Sequence, residues 1–413
     1  MRPTPRLPAL AAMALSLAFA GPAAAQPAIN ATGNRQVVSP EVAVDGRITF
    51  RLSAPNAQTV TVTGDFITPN TRLAKDAATG VWSYTTPAMP PGLYGYYFSL
   101  DGIRFTDPGN LLTLAGAHFL KSYVEVRGQG GEFWAQRDVP HGQLHELWYH
   151  NPALGERHVV IYTPPGYDPA AAKTYPVVYL YSGSGDNEFY WTKIGRAHFI
   201  LDNLLADGRA RPAILVMPYG STVVPSPPDG QEDTGGAGVY GVTAIGSDLV
   251  GSVIPLVEKN FKAGREPRDR AIFGFSMGGY LAPTIGLNHP ELFGWVAGAS
   301  ADFRNPGGAP NNFPGLVANL ATAKRNLQWF GMMVGTDPAS GESGHTNASK
   351  SAVDYVTSLG LRAEWAQPPG GSHTWTSWRG YFRDLMANKF FADDPYATPR
   401  VGMPLVPPAP AAP

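Results

Sequence analysis

The pattern of hydrophobic and polar positions changes along the chain. Between residues 36 and 127, short segments such as RITFRLSAP and QTVTVTGDF alternate apolar with polar residues. This alternation is typical of strands that bury one face, and Pro, Gly and Asp-Gly separate the segments. The pattern predicts a small all-β, immunoglobulin-like sandwich over residues 36–127.

A second pattern begins after GQGGEFWAQRDVPHG, a segment that we interpret as a linker. LHELWYHNPALGERHVVIYTPPGY predicts two strands joined by a turn, and PVVYLY and AILVMP are continuous apolar runs of the kind found in buried parallel strands. Segments with helical spacing, such as HFILDNLLADG and DLVGSVIPLVEKNF, lie between the apolar runs. The alternation predicts an α/β domain with a doubly wound, mostly parallel sheet over residues 138–392. A Pro- and Ala-rich tail follows at 393–413.

The first 25 residues have the organisation of a signal peptide. Arg2 and Arg6 precede a mostly apolar run at 9–20, and small residues stand before Gln26. We therefore expect residues 1–25 to be removed and the mature protein to be periplasmic or secreted, without a membrane span.

Composition removes several classes of chemistry. The 413 residues contain no cysteine, which excludes disulfides, a thiol nucleophile and a cysteine-based zinc site. The formal net charge is −1, so neither a nucleic acid nor an anionic membrane is an expected partner. We expect no cofactor and no metal.

The segment GFSMGG at residues 274–279 is the strongest chemical signal in the chain. It follows the apolar run RAIFGF and precedes YLAPTIGLNHP, which predicts a helix. Gly-x-Ser-x-Gly between a strand and a helix is the pattern of a nucleophile elbow, which makes Ser276 the candidate nucleophile. A serine needs a base and a pocket of hydrogen-bond donors, and in α/β-hydrolases the acid and the histidine follow the serine along the chain.

His373 is the candidate base, because it lies in a glycine-rich loop after the predicted strand LRAEWA. His289 lies too far along the helix that begins after Ser276, and we expect His345 to be a surface residue.

For the acid we predict Asp337, which follows the strand preceding LRAEWA. Asp302 is the alternative, and Asp354 is expected to be solvated. For the oxyanion hole we predict the backbone N–H groups of Met277 and of the turn at Gly183 and Ser184.

Candidate substrate contacts are aromatic. Trp191, Tyr240 and Trp375 are predicted to face an aromatic acyl group or a sugar, and Trp378 is a further candidate. The alternative for each tryptophan, a place in the core or at the rim, stays open.

Taken together, PVVYLYSGSGDNEFYW, RAIFGFSMGGYLA and GGSHTWTSWR resemble the "Putative esterase" family over residues 140–390. This family includes carbohydrate esterase family 1, with feruloyl and acetylxylan esterases, and the enterochelin esterases. The preceding β-domain resembles an early-set, glycogen-binding-like module. The resemblance implies an α/β-hydrolase fold with Ser276, Asp337 and His373 as the catalytic triad. Where the family's oxyanion loop often has His-Gly-Gly-Gly, this chain has Ser-Gly-Ser-Gly at 182–185.

These observations favour a serine carboxylesterase that acts on feruloyl or acetyl esters of plant cell-wall polysaccharide or oligosaccharide. An enterochelin-type siderophore esterase is the second hypothesis. Its ferric substrate is strongly anionic, so its cleft should be basic. The loop segments SGSGDNE and GQEDTGG are acidic instead, which disfavours this hypothesis. A non-catalytic carbohydrate-binding protein is the third, and the presence of Ser, Asp and His disfavours it.

Overall fold

A computed structural model of the chain describes residues 37–64, 66–116, 120–128, 130–221, 241–301, 303, 308–337 and 341–397. The predicted signal peptide at 1–25, Tyr240 and Asp302 lie outside these residues. Within the described part, no helix has the length and apolar character needed to cross a membrane.

The first part of the chain forms two β-sheets packed face to face. One sheet has the strand order β1-β2-β6-β5, and the other has the order β4-β3-β7-β10-β9 with β8 paired to β7. Their inward side chains, among them Phe50, Val62 and Phe98, form one buried cluster, because alternate residues of each strand face inward. The strands are β1 Glu41–Val42, β2 Ile48–Ser53, β3 Val60–Gly64, β4 Ile67–Arg72, β5 Ala74–Lys75, β6 Val81–Thr85, β7 Gly92–Leu100, β8 Ile103–Phe105, β9 Thr113–Ala115 and β10 Leu120–Val126. The predicted all-β sandwich is confirmed.

The second part of the chain is built on an eight-stranded sheet with the order β11-β12-β14-β13-β15-β16-β17-β18. β11 and β12 form the predicted antiparallel hairpin, β12 pairs antiparallel with β14, and the strands from β14 to β18 run parallel. The strands are β11 Gln143–Asn151, β12 Gly155–Thr163, β13 Val177–Tyr181, β14 Ile214–Pro218, β15 Arg270–Phe275, β16 Trp295–Ala299, β17 Trp329–Met333 and β18 Glu364–Ala366. This sheet confirms the predicted mostly parallel α/β fold.

Helices cover both faces of the large sheet, which explains why its central strands are apolar on both sides. The helices are α1 Tyr190–Lys193, α2 Ala197–Ala206, α3 Val242–Asp248, α4 Ile254–Asn260, α5 Met277–Asn288, α6 Ala309–Asn312, α7 Pro314–Ala318, α8 Leu320–Asn326, α9 Ser343–Ser358 and α10 Trp375–Asn388. α3, α4, α5 and α9 pack on one face, and α1, α2 and α10 pack on the other.

The segment that we interpreted as a linker is part of the packed structure. Glu132–Trp134 form a turn of 3₁₀ helix, and Trp134 is buried beside the Arg379 side chain of α10. In the predicted tail, residues 393–397 are described, and Tyr396 is half-buried with its ring against the Arg362 guanidinium.

Candidate active site

Ser276 occupies a strained turn between β15 and α5. Its φ of 54° and ψ of −120° lie in a region that side chains rarely adopt. Glycines make this turn possible: a Cβ on Gly274 would collide with the carbonyl oxygen of Gly278, and a Cβ on Gly278 would lie 2.5 Å from the carbonyl oxygen of Tyr181. The strand, the turn and the helix therefore form a nucleophile elbow that presents the serine hydroxyl at the carboxyl end of the sheet.

His373 lies in the loop between β18 and α10, as the sequence predicted. Its Nε2 is 3.1 Å from Ser276 Oγ, which is within hydrogen-bonding distance. The Trp378 ring stands edge-on to the imidazole at 5.0 Å between centroids and stacks on Phe275 at 3.8 Å. The histidine is therefore held beside the serine by the first turn of α10.

The carboxylate beside His373 comes from Glu342, which the sequence reasoning did not consider. Glu342 Oε1 is 3.5 Å from His373 Nδ1, and the glutamate is fully buried at the N-terminus of α9. Such contacts are often long in an unliganded active site and shorten when substrate binds. The predicted acid, Asp337, lies in the same loop, but its backbone N–H donates to the carbonyl oxygen of Gly371. Among the described carboxylates, Glu342 is the one within ion-pair distance of Nδ1.

Ser300 anchors this glutamate from the end of β16. Its Oγ donates to Glu342 Oε1 at 2.8 Å and lies 3.4 Å from Trp378 Nε1. Burial, followed by the charge of Glu342, raises the pKa of Tyr381, so that the nearby phenol stays neutral. The sequence feature that could have drawn attention to Glu342 is its position directly before the helix that carries the periodic run AVDYVTSLG.

His345 also differs from its predicted role as a surface residue. Its ring is half-buried and stacks nearly parallel to that of His373, at 4.9 Å between centroids. Its backbone N–H donates to the carbonyl oxygen of Glu342 at 3.0 Å. The first turn of α9 therefore contributes both a carboxylate and an imidazole to the surroundings of His373.

The predicted oxyanion loop follows β13 and lies against the elbow. The Gly278 N–H donates to the carbonyl oxygen of Ser182 at 3.0 Å, and a Cβ on Gly183 would lie 3.4 Å from Ser276 Cβ. Ser184 is exposed at the tip. Met277 opens α5, where backbone N–H groups have no partner within the helix. Both predicted sources of N–H donors therefore adjoin the serine.

The predicted aromatic contacts are located elsewhere. Trp191 is fully buried, and Trp375 is buried against Phe275, with 4.6 Å between ring centroids. Both tryptophans pack beneath the elbow, where they fill the core against the apolar side chains of the sheet. They correspond to the core alternative that the sequence left open. Tyr240 lies outside the described residues.

The arrangement has the parts that acyl transfer requires. A hydroxyl is within reach of an imidazole, a buried carboxylate adjoins the other ring nitrogen, and the loop after β13 and the start of α5 adjoin the serine.

Comparison with known proteins agrees with this geometry. The family model described as "Putative esterase" matches residues 153–387, and that of carbohydrate-binding module 48, the isoamylase N-terminal domain, matches residues 38–110. The chain is 30% identical over 358 residues to an endo-1,4-beta-xylanase/feruloyl esterase of Xylanibacter ruminicola. The alignment covers 85% of this chain but only 46% of that protein, so the chain spans about half of its relative's length.

Solved structures with the same fold include a CE1 ferulic acid esterase of Anaeromyces mucronatus in complex with ferulic acid. It has a TM-score of 0.52 and 21% identity, over 63% of this chain and 95% of that one. The enterobactin esterase of Shigella flexneri has a TM-score of 0.57 and 18% identity, over 83% of this chain and 92% of that one. The family match covers more than half of the chain, and the chain therefore belongs to this esterase family, with an α/β-hydrolase fold that follows a β-domain of the module 48 type.

Proposed function

We propose that this protein is an exported carboxylesterase that hydrolyses feruloyl or acetyl esters of plant cell-wall carbohydrate. The observation that carries the proposal is the 3.1 Å contact between His373 Nε2 and Ser276 Oγ at a strained elbow. Membership in the esterase family and the match of the β-domain to a carbohydrate-binding module support it. The Xylanibacter ruminicola relative is named a feruloyl esterase, which supports feruloyl esters in particular.

The chemistry proceeds in two acyl transfers. Ser276 Oγ attacks the ester carbonyl carbon while His373 Nε2 accepts the hydroxyl proton, and the N–H groups of Met277, Gly183 and Ser184 stabilise the oxyanion. The intermediate collapses to an acyl-enzyme, and His373 returns the proton to the departing alkoxide oxygen. Water then attacks the acyl-enzyme, again losing a proton to His373, and the carboxylic acid leaves as Ser276 regains its proton.

Glu342, rather than Asp337, is the acid in this proposal. A buried carboxylate at Nδ1 holds the imidazole in the tautomer that leaves Nε2 free to accept a proton. It also stabilises the imidazolium that forms during each attack.

The siderophore esterase is the competing hypothesis. It has support in the overall similarity to the Shigella flexneri enzyme, which at 18% identity concerns the fold alone. A ferric siderophore is strongly anionic, and the acidic Asp186 directly follows the Ser-Gly-Ser-Gly segment at 182–185. Repulsion between like charges therefore disfavours this substrate.

The test is a hydrolysis panel with the purified protein. Hydrolysis rates are measured for wild type, Ser276→Ala and the exposed-serine control Ser351→Ala. The substrates are methyl ferulate, p-nitrophenyl acetate, acetylated xylan, a longer p-nitrophenyl ester and enterobactin. We expect turnover of the feruloyl or acetyl substrates, a loss of about 10⁴-fold or more in Ser276→Ala, and wild-type rates in Ser351→Ala. Preferred cleavage of enterobactin would select the competing hypothesis. Absence of any hydrolysis, or a folded Ser276→Ala variant with normal turnover, would contradict catalysis by this site.

Export has its own test. We expect export because residues 1–25 contain positive residues, an apolar run and small residues in the order of a signal peptide. When the full chain is expressed in a Gram-negative host, we expect periplasmic protein whose N-terminal sequence begins at Gln26. Unprocessed protein confined to the cytoplasm would argue against export.

A further inference from the structure

The β-sandwich reaches the loop that follows β13. Asn187 Nδ2 donates to the carbonyl oxygen of Ala115, the last residue of β9, at 2.8 Å. At Gly116 the two backbones touch so closely that an added Cβ would collide with the carbonyl oxygen of Gly185. The contact therefore depends on a glycine in one domain and on a side-chain amide in the other.

The opposite side of the same loop lies against the nucleophile. Ser182 accepts the Gly278 N–H, and Gly183 adjoins Ser276, as described above. Residues 182–187 are therefore enclosed between the elbow and the β-sandwich. Within the loop, the Asp186 N–H donates to the carbonyl oxygen of Gly183 at 3.2 Å, while Gly183 and Gly185 widen the conformational choice and Ser184 is exposed.

Contacts around the loop hold the β-sandwich in one position. Arg196 donates two hydrogen bonds to Glu125 of β10, at 2.8 and 3.1 Å. The ring of Tyr123 meets that of Tyr190 edge-on, at 6.4 Å between centroids, and Tyr190 begins α1 directly after the loop. A bidentate ion pair and a buried aromatic contact give the interface a defined orientation.

We propose that the β-sandwich is a positioning element of the active site, and that Ala115 and Gly116 orient the oxyanion loop through Asn187 and Gly185. This inference rests on the proposed esterase function. Oxyanion stabilisation requires donors that are oriented before the charge develops, and loss of one donor costs about 10²–10³-fold in turnover. A loop displaced by about 1 Å can cost about 10²-fold. Asn187 and Gly116 act through the loop backbone and do not touch the reacting atoms.

Two neutral substitutions in the full chain test this role. In Asn187→Ser, the short hydroxyl can still accept the local Phe189 N–H, which now bonds Asn187 Oδ1 at 3.1 Å, but it cannot reach Ala115. In Gly116→Ala, the added methyl group pushes directly on Gly185. The matched control is Gly251→Ala, which adds the same methyl group where no atom lies within 4 Å.

We expect kcat on a small soluble ester to fall about 10-fold or more in Asn187→Ser and in Gly116→Ala, with KM within about twofold of wild type. Binding of a trifluoromethyl ketone, whose adduct with Ser276 carries the oxyanion, should weaken in parallel with kcat/KM. Gly251→Ala should match wild type in every measurement. A merely structural role would lower the melting temperature without this parallel loss of analogue binding.

Normal kcat in both variants would overturn the inference, even if their melting temperatures fall. A rise in KM at unchanged kcat would also overturn it, because Ala115 and Gly116 would then contact substrate instead of positioning the loop. Failure of the proposed function has a different signature, since wild-type protein would then fail to turn over the feruloyl and acetyl substrates.

Discussion

Glu342 is an acidic side chain in a fully buried position, and among the described residues its Oε2 has no hydrogen-bond partner, so that its contacts are concentrated on Oε1. Ser300 Oγ donates to Oε1, and His373 Nδ1 lies beside the same oxygen. A carboxylate in these surroundings gains most when the imidazole becomes positively charged, which happens only as the serine attacks. The residue is therefore suited to stabilise a transition state rather than to bind substrate.

Removing the carboxylate of Glu342 should severely reduce turnover. In Glu342→Gln, the one atom that contacts both Ser300 Oγ and His373 Nδ1 becomes either a neutral amide oxygen, which stabilises the imidazolium less, or an NH₂ group, which favours the wrong imidazole tautomer. We expect kcat to fall by on the order of 10⁴-fold, as for other triad acids. Asp337→Asn and Asp302→Asn should lose less than about 10-fold, because neither carboxylate is then part of the triad. Steady-state kinetics at neutral pH, with circular dichroism to verify folding, provide the measurement.

The ranking of the three variants decides the assignment. If a folded Asp337→Asn or Asp302→Asn protein is impaired and Glu342→Gln is nearly normal, then the acid follows β17 or β16 directly. The roles of Ser276 and His373 would remain as proposed.

At the scale of elements, the sequence was most informative where function depends on local geometry. The buried strands β13 to β15 were visible as continuous apolar runs, and Gly274 and Gly278 flank Ser276 at positions where the close backbone contacts leave no room for a Cβ. His373 could be predicted as the base because a catalytic base belongs in a loop at the carboxyl end of a strand. These features need only neighbouring residues to be recognised.

Glu342 could not be identified in the same way. It lies well beyond the end of β17 at Met333, and Asp337 comes first in the same polar loop. Which carboxylate turns back towards the imidazole depends on how α9 docks on the sheet, which is a contact between distant segments. Trp191 and Trp375 illustrate the same limit, because a sequence places aromatic residues near a site without showing which face of an element is buried.

At the scale of the whole molecule, the two parts of the chain share a hydrophobic core. Leu93 and Tyr123 of the β-sandwich and Trp134 of the connecting segment lie in one buried cluster with Phe275, the residue before Ser276. The sequence indicated a boundary near residue 138, because composition and strand pattern change there. A shared core instead links the stability of the active site to that of the β-sandwich.

This linkage predicts that the protein unfolds in one cooperative transition. A substitution at Trp82 tests this prediction. Trp82 is buried in the β-sandwich core and belongs to the four-stranded sheet, which does not contribute to the shared cluster. Trp82→Ala should cost about 3–5 kcal/mol of unfolding free energy. If the domains unfold together, scanning calorimetry should show a single peak that moves to lower temperature as a whole, and thermal loss of esterase activity should move with it. Two separate peaks, with only one displaced by Trp82→Ala and with activity lost at the unchanged temperature, would mean that the hydrolase domain is stable on its own.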